Sequence, residues 1–264
     1  MGIHTLTVFT PAYNRANILE RTYASLCRQT NKDFEWLIVD DGSTDNTRDI
    51  VERWIGEGKI CIRYIYQKNG GMHTAHNTAY DNITTELNTC IDSDDYMPDD
   101  AVEKIITFWK EHGSDKYAGI LGLDRTIGGT ILGAGFPPGM KSTTLSGYYA
   151  KMKKGGDMKI VLRTDIVRKY PKYPVFPNEK YVGLAYLYYL IDQDYELLVL
   201  NEVLAIVDYQ VDGSSSTMYK QYWNNPKGFA FYHNNEMLYA RSLKRKIKSC
   251  ILYVSHCLRT GNST

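Results

Sequence analysis

Several familiar signatures are missing from this chain. No G-x-G-x-x-G follows the first strand-like run and no G-x-x-x-x-G-K-[ST] occurs anywhere, which argues against a dinucleotide oxidoreductase and a P-loop NTPase. Cysteine is scarce: residues 27, 61, 90, 250 and 257 are odd in number, scattered, and form no C-x-x-C pair. That excludes a disulfide frame or zinc site and predicts reduced thiols in a cytoplasmic protein. No apolar stretch reaches about 18 residues, so no spanning helix is expected. The N-terminus enters a strand-like run directly, so no signal peptide is expected. Charge of one sign is also lacking, with 31 basic and 30 acidic side chains, so no global field recruits nucleic acid. No internal repeat or sharp linker divides the 264 residues, which fit one large domain or one domain with an appendage.

What is present is alternation. Residues 6–9, 35–39, 60–66 and 87–91 read as strands, and 17–29, 44–54, 72–83 and 101–112 read as helices. Strands alternating with helices of this length predict an α/β fold, a mainly parallel sheet with right-handed crossovers. The second half is less regular. Turns are expected at Gly128-Gly129 and over 133–139, a basic loop over 151–157, and a central strand over 159–162. A short helix over 165–170, an aromatic helix over 181–191 and one or two strands over 196–209 follow. The polar loop 212–217 could order over a ligand. Tyrosine is abundant at 22 copies; its phenolic edge suits sugar stacking, although packing is the expected role of most copies.

Over 241–259, Leu243, Ile247, Ile251, Val254 and Leu258 fall at helical spacing, with Arg241, Lys244, Arg245 and Lys248 at the start. Such a helix can rest on anionic lipid at a membrane surface, or pack its apolar stripe on the domain or on a second copy as a homodimer.

The most informative stretch is Asp92-Ser93-Asp94-Asp95, three carboxylates in four residues after a short, buried-looking strand. Open α/β sheets bind ligands at the carboxyl ends of their strands. Massed negative charge there repels itself unless a cation neutralises it. Oxygen ligands of this kind suit Mg²⁺ or Mn²⁺, which bind through one or two carboxylates plus substrate phosphates. The alternative is a solvated acidic turn leading into the helix near Pro98. Further polar motifs close the other strands: Thr10-Pro11-Ala12-Tyr13-Asn14-Arg15, Asp40-Asp41-Gly42-Ser43-Thr44-Asp45 and Asn69-Gly70-Gly71.

Four such motifs at successive strand ends resemble the family 2 glycosyltransferases of the GT-A fold, in particular compact bacterial members that make surface polysaccharide. The likeness is strong over about residues 4–125 and weaker beyond. It implies a GT-A-type, Rossmann-like mixed sheet flanked by helices with a C-terminal helical extension. The domains expected are 1–235, with a nucleotide-binding half (1–125) and an acceptor-binding half (126–235), and an amphipathic helix over 236–264. It implies an inverting, metal-dependent transfer from a UDP-sugar donor to a hydroxyl of a glycan or a polyprenyl-diphosphate-linked acceptor, on the inner face of the membrane.

Carried over by position, Thr10, Pro11 and Tyr13 line the uracil and ribose, and Arg15 steadies that loop or approaches the diphosphate. Asp41 accepts the uracil N3–H; Asp40, Ser43 and Asp45 also suit turn and cap roles. Gly71 lets the backbone approach the nucleotide. Asp92 approaches the ribose with Ser93 beside it, and Asp94 ligates the metal, Mn²⁺ or Mg²⁺. His73 and His76 are expected to pack or to border the donor pocket. Relatives place the general base just before a helix corresponding to 186–191, where this chain has Gly183-Leu184. Glu179 is the first candidate, and Asp157 is the next, alternatively an acceptor ligand. Asp192 and Asp194 lie downstream. The missing acid also leaves open a nucleotide-sugar-binding subunit that supports a partner enzyme. A sugar-1-phosphate nucleotidyltransferase would open with a G-x-G-T-R-type loop, which Thr10–Arg15 is not.

Overall fold

The alternation closes into a single eight-stranded sheet in the order β3-β2-β1-β4-β7-β5-β8-β6. The computed structural model describes residues 4–151, 156–208 and 218–260. In chain order the first half comprises β1 (Leu6–Ala12), α1 (Leu19–Cys27), β2 (Phe34–Asp40), α2 (Thr47–Glu57), β3 (Cys61–Tyr66), α3 (Met72–Asn82), β4 (Leu87–Cys90) and α4 (Ala101–His112). The second half comprises β5 (Tyr117–Thr126), β6 (Ser142–Thr143), α5 (Leu145–Lys151), β7 (Met158–Arg163), α6 (Thr164–Val167), α7 (Ala185–Asp194) and β8 (Glu196–Val207). It ends with α8 (Met218–Asn224), α9 (Pro226–Tyr239) and α10 (Leu243–Thr260). The expected polar loop 212–217, and residues 152–155 of the basic loop, lie outside the described residues.

Period-two alternation explains how both faces are covered. On β2, Phe34, Trp36 and Ile38 face a cluster with α1, α2 and α4, while Leu37 and Val39 face a second cluster with α3 and α7. Every residue of β2 is buried, as expected of a parallel strand covered on both sides. The first cluster is keyed by aromatic stacking: Tyr23 lies 4.3 Å from Trp54 between ring centroids, and Trp36 lies 5.9 Å from Trp54.

The strand over Tyr117–Thr126 is absent from the sequence reading. Its two internal glycines weaken a strand pattern, but both are required by close approach. A Cβ on Gly119 would lie 1.9 Å from the Val161 carbonyl oxygen, and one on Gly122 would lie 2.3 Å from Leu204 Cδ1. The expected turn at Gly128-Gly129 follows, with the Thr126 N–H donating to the Thr130 carbonyl. The expected 235/236 boundary falls inside α9, and the terminal segment is split between α9 and α10.

A buried carboxylate ties the last helices together. Glu236 of α9 accepts hydrogen bonds from Tyr189 Oη of α7 (2.8 Å) and from Arg245 Nε (2.8 Å) and Ser249 Oγ (2.6 Å) of α10. Burial pushes its pKa up, but these donors and His233 outweigh that and bring it down to about 2. Among the described residues no helix is long and apolar enough to cross a membrane.

Candidate active site

Strand direction decides what meets at the rim. β1, β2, β3 and β4 are parallel, β7 is antiparallel to β4 and β5, and β5 is parallel to β8. The carboxyl ends of β1, β2, β4, β5 and β8 and the start of β7 therefore share one edge. A cleft of about 680 Å³ opens there. Of the residues expected from the sequence, Pro11, Tyr13, Arg15, Asp41, Gly71, Asp92, Ser93, Asp94 and Asp157 line it; Thr10 and Glu179 do not.

The loops after β1 and β2 are knitted together. Asn14 adopts a left-handed φ of 53°, which asparagine tolerates, and its Oδ1 accepts the Thr44 N–H at 2.8 Å. Its own N–H donates to Ser43 Oγ at 2.8 Å. Asp40 is fully buried and accepts the Ser43 N–H (2.7 Å) and the Tyr64 hydroxyl, so it holds the turn. Asp45 accepts the N–H groups of Ala16 and Thr47, each at 3.1 Å. Thr10, expected beside the base, points instead into the core: its hydroxyl receives the Trp36 indole N–H at 3.0 Å. Tyr13 is 47% exposed at the cleft, leaving a ring free to stack.

Asp41 organises the next loop. Its carboxylate accepts Gln67 Nε2 (2.7 Å) and the N–H groups of Gly70 (2.8 Å) and Gly71 (2.7 Å). Gly71 has φ 96°, and a Cβ there would lie 2.0 Å from the Lys180 carbonyl oxygen, so no other residue fits without displacing backbone.

In the acidic motif the four residues part company. Asp92 is exposed, Ser93 is buried, Asp94 is half-buried and Asp95 is buried. Burial, then the neighbouring Asp92, push the Asp94 carboxyl up, against the pull of Arg15 and Arg21. Arg21 donates to the Asp94 carbonyl and to Asp208 Oδ2 (2.7 Å), fixing the motif's backbone to the end of β8. Asp95 accepts the Asp208 N–H at 3.1 Å, and burial pushes its pKa up to about 7 despite Lys159. It therefore serves the fold from a buried position in the cleft lining.

Among the described residues no group of three or more His, Cys, Asp or Glu is arranged to hold a metal ion. A cation bound through one or two carboxylates, with diphosphate oxygens supplying the rest, needs no such group. Asp94 and its repelling neighbour Asp92 face the same cleft.

The second half of the chain differs most from expectation. The Glu179 carboxylate accepts the N–H groups of Lys227 (3.0 Å) and Gly228 (2.8 Å), capping the start of α9. Asp192 likewise accepts the N–H groups of Leu145 (3.0 Å) and Ser146 (2.7 Å) at the start of α5, and Asp194 accepts the Tyr170 hydroxyl. Asp157 is exposed at the cleft.

Two further residues there escaped the sequence reading. Asp124 ends up on the undetected strand β5, buried, lining the cleft, with Oδ1 unpartnered. Burial pushes its pKa up to about 6, with Lys159 pulling the other way. Lys159 is buried and donates to the Cys90 carbonyl at 3.1 Å. Burial disfavours its charge, but Asp124, Asp95 and Asp92 outweigh that and raise its pKa. A lone lysine in the otherwise apolar run 158–162 was the available signal. His76 borders the cleft and is kept neutral by burial, with a pKa lowered to about 3; His73 is buried behind it.

Known proteins share this fold. Residues 7–127, just under half of the chain, match the family model described as Glycosyl transferase family 2. Glycosyltransferase GlyA of Streptococcus pneumoniae is 36% identical over 110 residues, which cover 42% of this chain but 16% of that protein. TarS of S. aureus, solved with UDP-GlcNAc, superposes with a TM-score of 0.67 at 19% identity, covering 96% of this chain and 72% of that one. The mannosyltransferase PcManGT of Pyrobaculum calidifontis, solved with GDP-Man and Mn²⁺, gives 0.63 at 16% identity, covering 97% and 75%. At such identities these two likenesses concern the fold.

Proposed function

We propose that the protein is an inverting glycosyltransferase that moves a sugar from a UDP-sugar to a hydroxyl of a glycan or polyprenyl-diphosphate-linked acceptor. The observation that carries this reading is the convergence of Tyr13, Asp41, Gly71 and Asp94 with Asp124 and Asp157 on one cleft. Tyr13 stacks on the base, a contact of about 1–3 kcal/mol. A carboxylate offers about four lone-pair sites, of which Asp41 uses three on Gln67, Gly70 and Gly71. The fourth takes the uracil N3–H. Asp94, with Asp92, would hold Mn²⁺ or Mg²⁺, and when bound the cation neutralises charge on the departing diphosphate.

In the transfer, the acceptor oxygen bonds to the anomeric carbon as the bond from that carbon to the diphosphate oxygen breaks, and the acceptor proton passes to a carboxylate. Asp157, exposed and lining the cleft, receives it in this reading. Asp124, deeper in the cleft with an unpartnered oxygen, accepts a sugar hydroxyl. Lys180 and Arg15 border the cleft as cations near the diphosphate.

Release of the nucleoside diphosphate from a panel of UDP- and GDP-sugars with Mn²⁺, with and without glycan acceptors, tests this. Asp157→Asn is expected to lower kcat at least about 100-fold, in the range of general-base removal, with little change in donor KM. Asp124→Asn is expected to raise donor or acceptor KM instead. UDP binding without turnover on any donor would favour a nucleotide-sugar-binding subunit.

A further inference from the structure

Helix α10 is mounted with its apolar stripe facing away from the protein. Leu243, Ile247, Ile251, Val254 and Leu258 are 72%, 54%, 65%, 38% and 73% exposed. The side chains it buries are Ser249, His256 and Cys257. At 3.6 residues per turn the five apolar residues fall within about 80° of arc, and Ser249 and His256 lie roughly opposite. Inward, Ser249 bonds Glu236, and His256 stacks in a column with Tyr222, Phe229 and His233 at centroid separations of 5.4, 5.5 and 5.6 Å. The polar side of the helix is therefore committed to the fold, and the stripe is left over. Soluble chains rarely leave a contiguous apolar stripe of this kind uncovered without a binding role.

Charge identifies what covers it. From residue 237 to 264 the sequence holds six basic side chains and no acidic one, although the whole chain is nearly neutral at +1. Lys244 and Lys248 sit on the same helical arc, one step round from the stripe, and both are exposed. At the far end Arg259 stacks on Trp223 of α8, 3.7 Å from the ring centroid. This sets a 59% exposed indole beside the last turn of the stripe, with Tyr219 77% exposed on the same short helix. An apolar stripe bordered by lysines, with tryptophan and tyrosine near it, is the pattern of a helix lying in a lipid headgroup region. A second copy would bring like charges together along the whole helix, which is unfavourable.

We propose that α10, with the exposed aromatics of α8, docks the protein on an anionic lipid bilayer. Each Lys or Arg near such a surface adds about a kcal/mol, roughly fivefold in partitioning. α10 is bound to α9, whose first turn is capped by Glu179, and the adjoining Lys180, Leu184 and Ala185 line the cleft. The docked surface is thus rigidly joined to the acceptor side of the site.

Flotation with vesicles of phosphatidylglycerol and phosphatidylcholine, against phosphatidylcholine alone, tests this without any need for turnover. The parent chain is expected to float with the anionic vesicles, to be released by high salt, and to stay behind with the neutral ones. Ile247→Gln with Ile251→Gln, and separately Lys244→Gln with Lys248→Gln, should each weaken binding about tenfold or more. All four positions are exposed, so unchanged thermal melting checks that the fold is intact. No flotation of the parent at low salt, or flotation unaffected by both pairs, overturns the proposal. So does a dimer in light scattering that the isoleucine pair dissolves while vesicles bind nothing.

Discussion

Asp41→Asn and Asp41→Ala isolate what holds the donor side of the cleft. In the parent, Oδ1 accepts Gln67 Nε2 and the Gly70 N–H, and Oδ2 accepts the Gly71 N–H. Asparagine with its oxygen at the first position keeps two of these bonds and turns an NH₂ toward the Gly71 N–H. One bond to a charged acceptor is then lost and two donors face each other, a cost of about 1.5–3 kcal/mol. Alanine loses all three. Discounted because the partners are only partly buried, the cost is about 3–6 kcal/mol. For a chain of this size each kcal/mol lowers Tm by roughly 2–4 °C. Asn should therefore lower Tm by about 3–12 °C and Ala by more, in differential scanning fluorimetry without nucleotide. UDP affinity should fall in the same order, because the loop that Asp41 anchors supplies Asn69 and Gly71 to the cleft. If both variants melt within about 1 °C of the parent, the anchoring role is refuted.

Three other outcomes follow from the same geometry. Glu179→Ala should cost about 1–2 kcal/mol in urea unfolding as a lost helix cap, while kcat falls no more than the stability loss explains; a 100-fold loss of kcat with unchanged stability would restore it as a base. The raised pKa of Asp124, about 6 against an ordinary 3.8, means the folded state holds its proton to higher pH than the unfolded state. Its contribution is therefore fully present below pH ~4 and is lost as pH rises through about 6; in Asp124→Asn this decline should vanish from stability measured across that window, and an unchanged profile would contradict the assignment. Gly71→Ala should lower both stability and UDP affinity, because its φ of 96° and the Lys180 carbonyl leave no room for a methyl group; a variant that binds UDP like the parent would show that this segment does not approach the nucleotide.

The donor half was legible because each strand there is short, apolar and closed by a polar motif, and each helix has one apolar face. Residues 101–112 were placed to the residue, and 87–91 to within one. β5 was illegible because Gly119 and Gly122, which let the neighbouring β7 and β8 come close, look locally like a break. With it went Asp124, whose place at the rim depends on a strand pairing between distant segments. Glu179 looked catalytic because its nearness along the chain to the expected base position could be seen. Its bonds to Lys227 and Gly228, nearly fifty residues on, could not. Thr10 went astray by alternation alone: one residue along β1 separates the cleft from the Trp36 side of the sheet. The stripe of α10 was found correctly, but which side of an amphipathic helix faces inward is settled by partners such as Glu236, not by the helix's own pattern.

The central claim is that Asp94 grips a uridine diphosphate through a divalent cation, and isothermal titration of UDP into parent and Asp94→Ala protein, with Mn²⁺ and with chelator, tests it most directly. The parent should bind UDP at least about tenfold more tightly with Mn²⁺, and the variant should show no such gain. Equal affinities in all four titrations, or a Mn²⁺ gain that survives in Asp94→Ala, would contradict the account.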